Sequence, residues 1–230
     1  MPETPAQWST PSLLSTGLFV LLLIGVQLFL SRAAFRAGGT PWARRHAAIA
    51  IGVAIATALA GGFVLRPDFF PATAAFMASL TLLTLAVATR PSMTRLGQAT
   101  PMAGWVLVHV FRLPLELLLH HWKGSAVPVQ MTWSGQNFDV LTGALALLVG
   151  AALLRRPSRP LAIGFHALGL LLLANVVRIA LTSVPSPFTR FEDPLLLPFH
   201  VPYGWIVPFA VMTALFMHIV ALRTLLAAEP

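Results

Sequence analysis

GWVLVHVFRLPLELLLHHWKG, residues 104–124, is apolar over most of its length, yet it holds His109, Arg112 and Glu116, a proline at 114 and a histidine pair at 120 and 121. A helix on the surface of a soluble protein segregates its charges on one solvent-facing stripe. Here valine, leucine and phenylalanine surround the charges on every side, as they do in a helix immersed in lipid. About 20 such residues cross a hydrocarbon core roughly 30 Å thick. In that setting a guanidinium and a carboxylate are costly, and by default they mark a functional site.

The same pattern recurs along the chain. Of its 230 residues, 57% are hydrophobic and 10% are charged, against about 25% charged in a soluble domain. Mean hydropathy is +0.81. Apolar runs fall at 12–31, 45–65, 69–89, 102–122, 138–154, 160–182 and 205–226. They predict an all-α fold, a polytopic membrane protein whose seven transmembrane helices form a single domain over residues 1–230. A transmembrane barrel would show short alternating strands instead. The opening MPETPAQWSTPS is acidic and lacks the positive segment of a cleavable signal peptide, so the first run is expected to stay as a span.

The net charge of +8 comes from basic residues dispersed over short connections, an arrangement that orients a membrane protein rather than one that binds nucleic acid. Arg32, Arg36, Arg44, Arg45, Arg90, Arg95, Arg155, Arg156, Arg159 and Arg223 fall on one side of an alternating seven-span chain. Arg66, Lys123 and Arg190 fall on the other, beside Glu3, Asp68, Glu192 and Asp193. The positive-inside rule then places the C-terminus in the cytoplasm and the N-terminus outside. Two longer outer connections, 123–138 and 183–204, are rich in proline and aromatic residues and are expected to cap the bundle.

Two constellations stand inside the spans. Arg112 and Glu116 are four apart and share a helix face. Asn175 and Arg178 share a face on span six, and Asp139 opens span five at a similar depth, with Asn137 as the alternative cap. These five, Arg112, Glu116, Asp139, Asn175 and Arg178, are the candidate ligand-binding residues of an outward-opening polar pocket between spans four, five and six. Trp133, Phe138 and Tyr203 are its candidate aromatic walls, and Arg112 is expected to pair with Glu116. The second constellation is His109, His166 and His218, which sit at similar depths on three spans and are candidate ligands of a transition metal or haem. His120, His121 and His200, with Glu116 and Asp139, form a further candidate metal group near the outer surface. The chain has no cysteine and a single lysine, Lys123, in a connection. Thiolate chemistry and a retinal Schiff base in the last span are therefore excluded.

FRLPLE (111–116) and GQNFDVLTG (135–143), with PSPF (185–188) and the last span, resemble segments of a broad set of uncharacterised bacterial multi-pass inner-membrane proteins. The resemblance touches about half the chain and brings no activity with it. It implies a protein of the bacterial inner membrane, in contact with the lipid bilayer. Three readings of function follow from the residues: a pocket that binds, senses or transports a lipid, quinone or small polar or anionic molecule; a membrane-embedded enzyme using Glu116 and Asp139 or a histidine-bound metal or haem; and an accessory subunit whose polar residues fasten helices.

Overall fold

The structure is a computed structural model that describes residues 8–63, 66 and 69–227. Glu3 and Asp68, which enter the charge balance above, lie outside the described residues. All regular structure among the described residues is helical. Five stretches are long and apolar enough to cross a membrane: Leu13–Gly61, Phe70–Ala88, Met102–His121, Arg159–Ser183 and Tyr203–Ala227. Helix Val140–Arg155 is apolar but shorter, with 16 residues, or about 24 Å at 1.5 Å per residue.

The first helical stretch, α1 (Leu13–Phe63), is two helices joined across a kink at Gly38 and Gly39. Gly39 has φ 67° and ψ −161°, a conformation open essentially to glycine alone. Pro41 follows inside the first turn of the second half, where a proline is tolerated. The connection expected between residues 31 and 45 is thus largely helical. Its alanines and arginines are good helix formers, and only GGTP (38–41) interrupts them.

Next come α2 (Phe70–Ala88), α3 (Ser92–Gln98), α4 (Met102–Leu107), a 3-10 segment Val108–Phe111, α5 (Arg112–His121), α6 (Val140–Arg155), α7 (Arg159–Ser183) and α8 (Thr213–Ala227). A π-helical segment, Val207–Met212, leads into α8, and α8 packs on α2, α3 and α7. One end of the bundle gathers basic residues. Arg223 donates to the carbonyls of Ala88, at 2.7 Å, and Arg90, and Arg159 reaches the Leu226 carbonyl. The other end gathers aromatic rings and loops. Tyr203 bonds Thr16 at 2.6 Å, and the Trp122 indole N–H donates to Ser15 at 3.0 Å. Connection 123–138 is tied to connection 183–204 by Gln130, which donates to the Ser183 hydroxyl and to the Asp193 carbonyl.

Helix α6 lies unusually close to α4 and α5. Gly143, Ala146 and Gly150 form its small-residue face, the kind of stripe that lets helices approach in a membrane. A Cβ at Gly143 would stand 2.7 Å from the Leu113 backbone nitrogen, and one at Gly150 would overlap the Leu107 side chain.

Candidate functional site

The site starts from a proline. Pro114 has no N–H to give to Val110 and its ring crowds that carbonyl. The chain tightens into the 3-10 segment Val108–Phe111 before resuming as α5. Directly after this irregular turn, Arg112 and Glu116 point into the bundle, 1% and 2% exposed. The shared inward face is as expected from their spacing; the expected pairing is not. Arg112 Nη1 donates to Asp139 Oδ1 in a buried ion pair, 27 residues along the chain. Glu116 instead accepts from the Asn137 side-chain amide, at 3.1 Å to Oε1 and 3.0 Å to Oε2. Asn137 also donates to the Met131 carbonyl, and its Oδ1 accepts the Asp139 backbone N–H at 2.9 Å. Thr142 donates to Asp139 Oδ1 at 2.9 Å. The result is one buried polar network, Glu116–Asn137–Asp139–Arg112, hung between α5 and the start of α6. It exists because Gly143 lets α6 approach the backbone of Arg112 and Leu113.

Two donors of this network remain without a partner. Arg112 Nε and Nη2 are buried and have no hydrogen-bond partner among the described residues. Each such group costs about 1–3 kcal/mol, more when charged. Arg112, Glu116 and Asp139 also line a cavity of about 580 Å³, well within the size range of ligand sites. Its walls are apolar stripes. Phe70, Thr73, Ala74, Met77, Ala78, Thr81 and Leu82 on α2 face Leu173, Val176, Val177, Ala180, Leu181 and Val184 on α7. Both follow the 3, 4, 7, 8 spacing of one helix face. Val207, Ala210 and Val211 of the π-helical segment form the back, and Val127, Met131, Leu195, Leu197 and Pro198 of connections 123–138 and 183–204 close the end. π segments recur at functional sites. Thr73 contributes a further buried hydroxyl without a partner. The cavity reaches the apolar surface between α2 and α7, where Leu82 and Leu181 are 67% and 51% exposed.

This corrects the expected pocket. Residues of connections 123–138 and 183–204 close one end of it, but the cavity lies between α2, α5, α7 and the last helix, and its lining is greasy rather than polar. Asn175 and Arg178 are not part of it. At 100° per residue, the cavity stripe of α7 occupies one side and residues 175 and 178 the opposite side. There Arg178 is exposed and donates to Asn175 Oδ1 and to Gln136 Oε1, while Asn175 donates to the Gln136 carbonyl at 2.8 Å. Trp133, Phe138 and Tyr203 line other parts of the protein. Trp133 stacks on His120, Phe138 is half exposed, and Tyr203 packs on Phe19 and Trp122. Asn137 was legible only as a cap, and its true partner Glu116 sits across a loop. Its place two residues before Asp139, in NFD, is the one local cue.

The expected outer histidine group does not assemble. His120 lies on Trp133 and His200 on Trp8, with ring centroids at 4.0 Å and 3.8 Å. Burial against Trp8 lowers the His200 pKa from the usual imidazole value. The inner group does assemble. His109, His166 and His218 are each 0% exposed, and each offers one ring nitrogen within 4.8 Å of the others. His166 Nδ1 and His218 Nδ1 are 3.0 Å apart, so one donates to the other. The His109 and His218 rings stack at 3.9 Å between centroids and 14° between planes. That stacking leaves no space for a macrocycle between them, so the haem alternative does not fit these rings. His166 and Gly169 continue the cavity stripe of α7 downward and His218 continues that of the last helix, so the trio sits directly beneath the cavity, one turn of helix from Arg112.

Compared with models of known protein families, with curated proteins and with solved structures, the chain matches none.

Proposed function

We propose that this chain is a multi-pass protein of the bacterial inner membrane that holds one lipid-soluble amphiphile in the α2–α7 cavity, with the head of the ligand on Arg112 and its tail along the apolar stripes. The observation that carries the reading is the pair of unpartnered Arg112 donors at the wall of an apolar cavity that opens sideways toward lipid. A guanidinium that only fastened α5 to α6 would be accounted for by Asp139; its Nε and Nη2 would have no task. The charge balance narrows the ligand. Glu116 and Asp139 already oppose Arg112, so a phosphate would add negative charge to a site with none to spare. A carbonyl, or a carboxyl held in its neutral form, on a long apolar tail fits, which is the chemistry of quinones and fatty acyl compounds. The buried carboxylates orient the guanidinium, and the outer connections keep water from the head.

Parinaric acid, a fluorescent fatty acid, tests this with purified protein in detergent. Saturable binding at one site per chain is expected, competed by decyl-ubiquinone. Ala180→Trp and Ala78→Trp, from opposite walls, should weaken it about tenfold or more, as an occluded pocket loses its contacts. Binding left unchanged by both variants would remove the cavity from the function.

The topology belongs to the same proposal. The break at Gly38–Gly39 divides α1 into two spans, and α6, short as it is, makes a seventh. The arginine asymmetry and the gathering of Arg90, Arg159 and Arg223 at one end support a cytoplasmic C-terminus and an N-terminus outside. The resemblance of FRLPLE and GQNFDVLTG to bacterial inner-membrane proteins supports the membrane assigned. Reporter fusions at the C-terminus should be active only in the cytoplasmic form; a periplasmic signal would overturn the count or the orientation.

A further inference from the structure

We infer that His109, His166 and His218 bind one first-row transition-metal ion of the imidazole-preferring kind, copper or zinc, in the dry interior beneath the cavity. The site uses side chains other than those that line the cavity, so it stands or falls independently of the ligand reading. Its three ligands come from three separate helical segments, the 3-10 turn before α5, α7 and α8, and their depth is fixed by packing. Gly169 is part of the construction: a Cβ there would overlap the His218 ring, so α7 is hollowed at the one place where that ring must lie.

The geometry is close to that of a metal centre. Zinc–imidazole bonds of about 2.0–2.1 Å in a tetrahedral site set ligand nitrogens roughly 3.3 Å apart. The nearest two here are 3.0 Å apart, and all three ligand atoms fall within 4.8 Å. The His109 ring, stacked on that of His218, has to turn about its side-chain torsions to aim a nitrogen at the same point. The hydrogen bonding points the same way. A neutral imidazole has one donor and one acceptor nitrogen. Of the six ring nitrogens, His166 Nδ1 and His218 Nδ1 meet each other; both nitrogens of His109 and the Nε2 atoms of His166 and His218 have no hydrogen-bond partner among the described residues. Ordinary buried histidines bond backbone carbonyls or hydroxyls. A cation satisfies three lone pairs at once.

Imidazole ligands suit copper and zinc, and the neutral ring is the form that binds them. The Arg112 guanidinium one helical turn away is itself paired with Asp139.

The test uses the full chain, purified through a tag without histidines. Protein from cells supplied with copper or zinc should carry one ion per chain by elemental analysis. His166→Gln and His218→Gln should each lower that content about tenfold or more, while His121→Gln, outside the trio, leaves it unchanged. Wild-type protein stripped with a chelator should regain thermal stability on reloading, with copper(I) under reducing conditions or with zinc, and cobalt(II) should give the optical bands of a tetrahedral nitrogen site. Copper or zinc uptake identifies the ion. Wild-type protein whose metal content and thermal stability match those of the His109→Gln/His166→Gln/His218→Gln variant, before and after reloading, would overturn the site. That outcome would leave the parinaric acid result untouched.

Discussion

Asp139→Ala is expected to lower stability by about 3–5 kcal/mol, the usual cost of stranding one member of a buried ion pair, whereas Glu116→Gln costs less than about 1.5 kcal/mol. The contrast comes from which carboxylate meets the guanidinium. Asp139 is the partner of Arg112 Nη1, and alanine leaves that buried charge uncompensated. Glu116 accepts from a neutral amide, Asn137, and a glutamine at 116 keeps one acceptor for the same donor. The double replacement Arg112→Met with Asp139→Leu should recover most of the loss, because an apolar pair of similar size often replaces a buried ion pair without penalty. Denaturant unfolding in a fixed detergent measures all four proteins. If Glu116→Gln proved the more damaging single change, the assignment of Arg112 to Asp139 would be wrong.

That contrast also shows where local reading of the chain stops. Spacing of four on a helix says that Arg112 and Glu116 share a face, and they do. It does not say that they touch, because each can reach across to another element. The partner of Arg112 lies beyond a whole outer connection, and only the packing of α6 brings it near. The relevant signal was present in Gly143, Ala146 and Gly150, a stripe of small residues on one face of α6, which reads as a close helix contact once it is looked for. Depth was legible for the histidines, since rise per residue is fixed in a helix, and His109, His166 and His218 do converge. Facing was not legible for Arg178. An arginine in the outer third of a span can turn inward to a pocket or outward along the surface, and only the cavity stripe of α7 shows that it turns outward. The cavity itself was hidden for another reason. Its walls on α2 and α7 are as apolar as the lipid-facing sides of the same helices, so no contrast in hydropathy marks them.

Gly143 gives the sharper test of how the polar network is built. Gly143→Ala is expected to destabilise by roughly 1–3 kcal/mol, the range for overpacking, although alanine is the better helix former by about 1 kcal/mol. The new methyl would sit 2.7 Å from the Leu113 backbone nitrogen, and a backbone atom cannot swing aside as a side-chain tip can. Helix α6 must therefore back away from α5, carrying Asp139 off Arg112. Gly164→Ala on α7 is the control: nothing lies within 4 Å of the added methyl, so helix propensity acts alone and the change should be neutral or slightly stabilising. Combination with Asp139→Ala separates the two parts of the Gly143 effect. If the methyl acts through the ion pair, Gly143→Ala should cost markedly less in the Asp139→Ala background than alone, since residues sharing one interaction are not additive. Strict additivity would mean that α6 yields without moving Asp139, and that the close approach at Gly143 serves packing but not the position of Arg112.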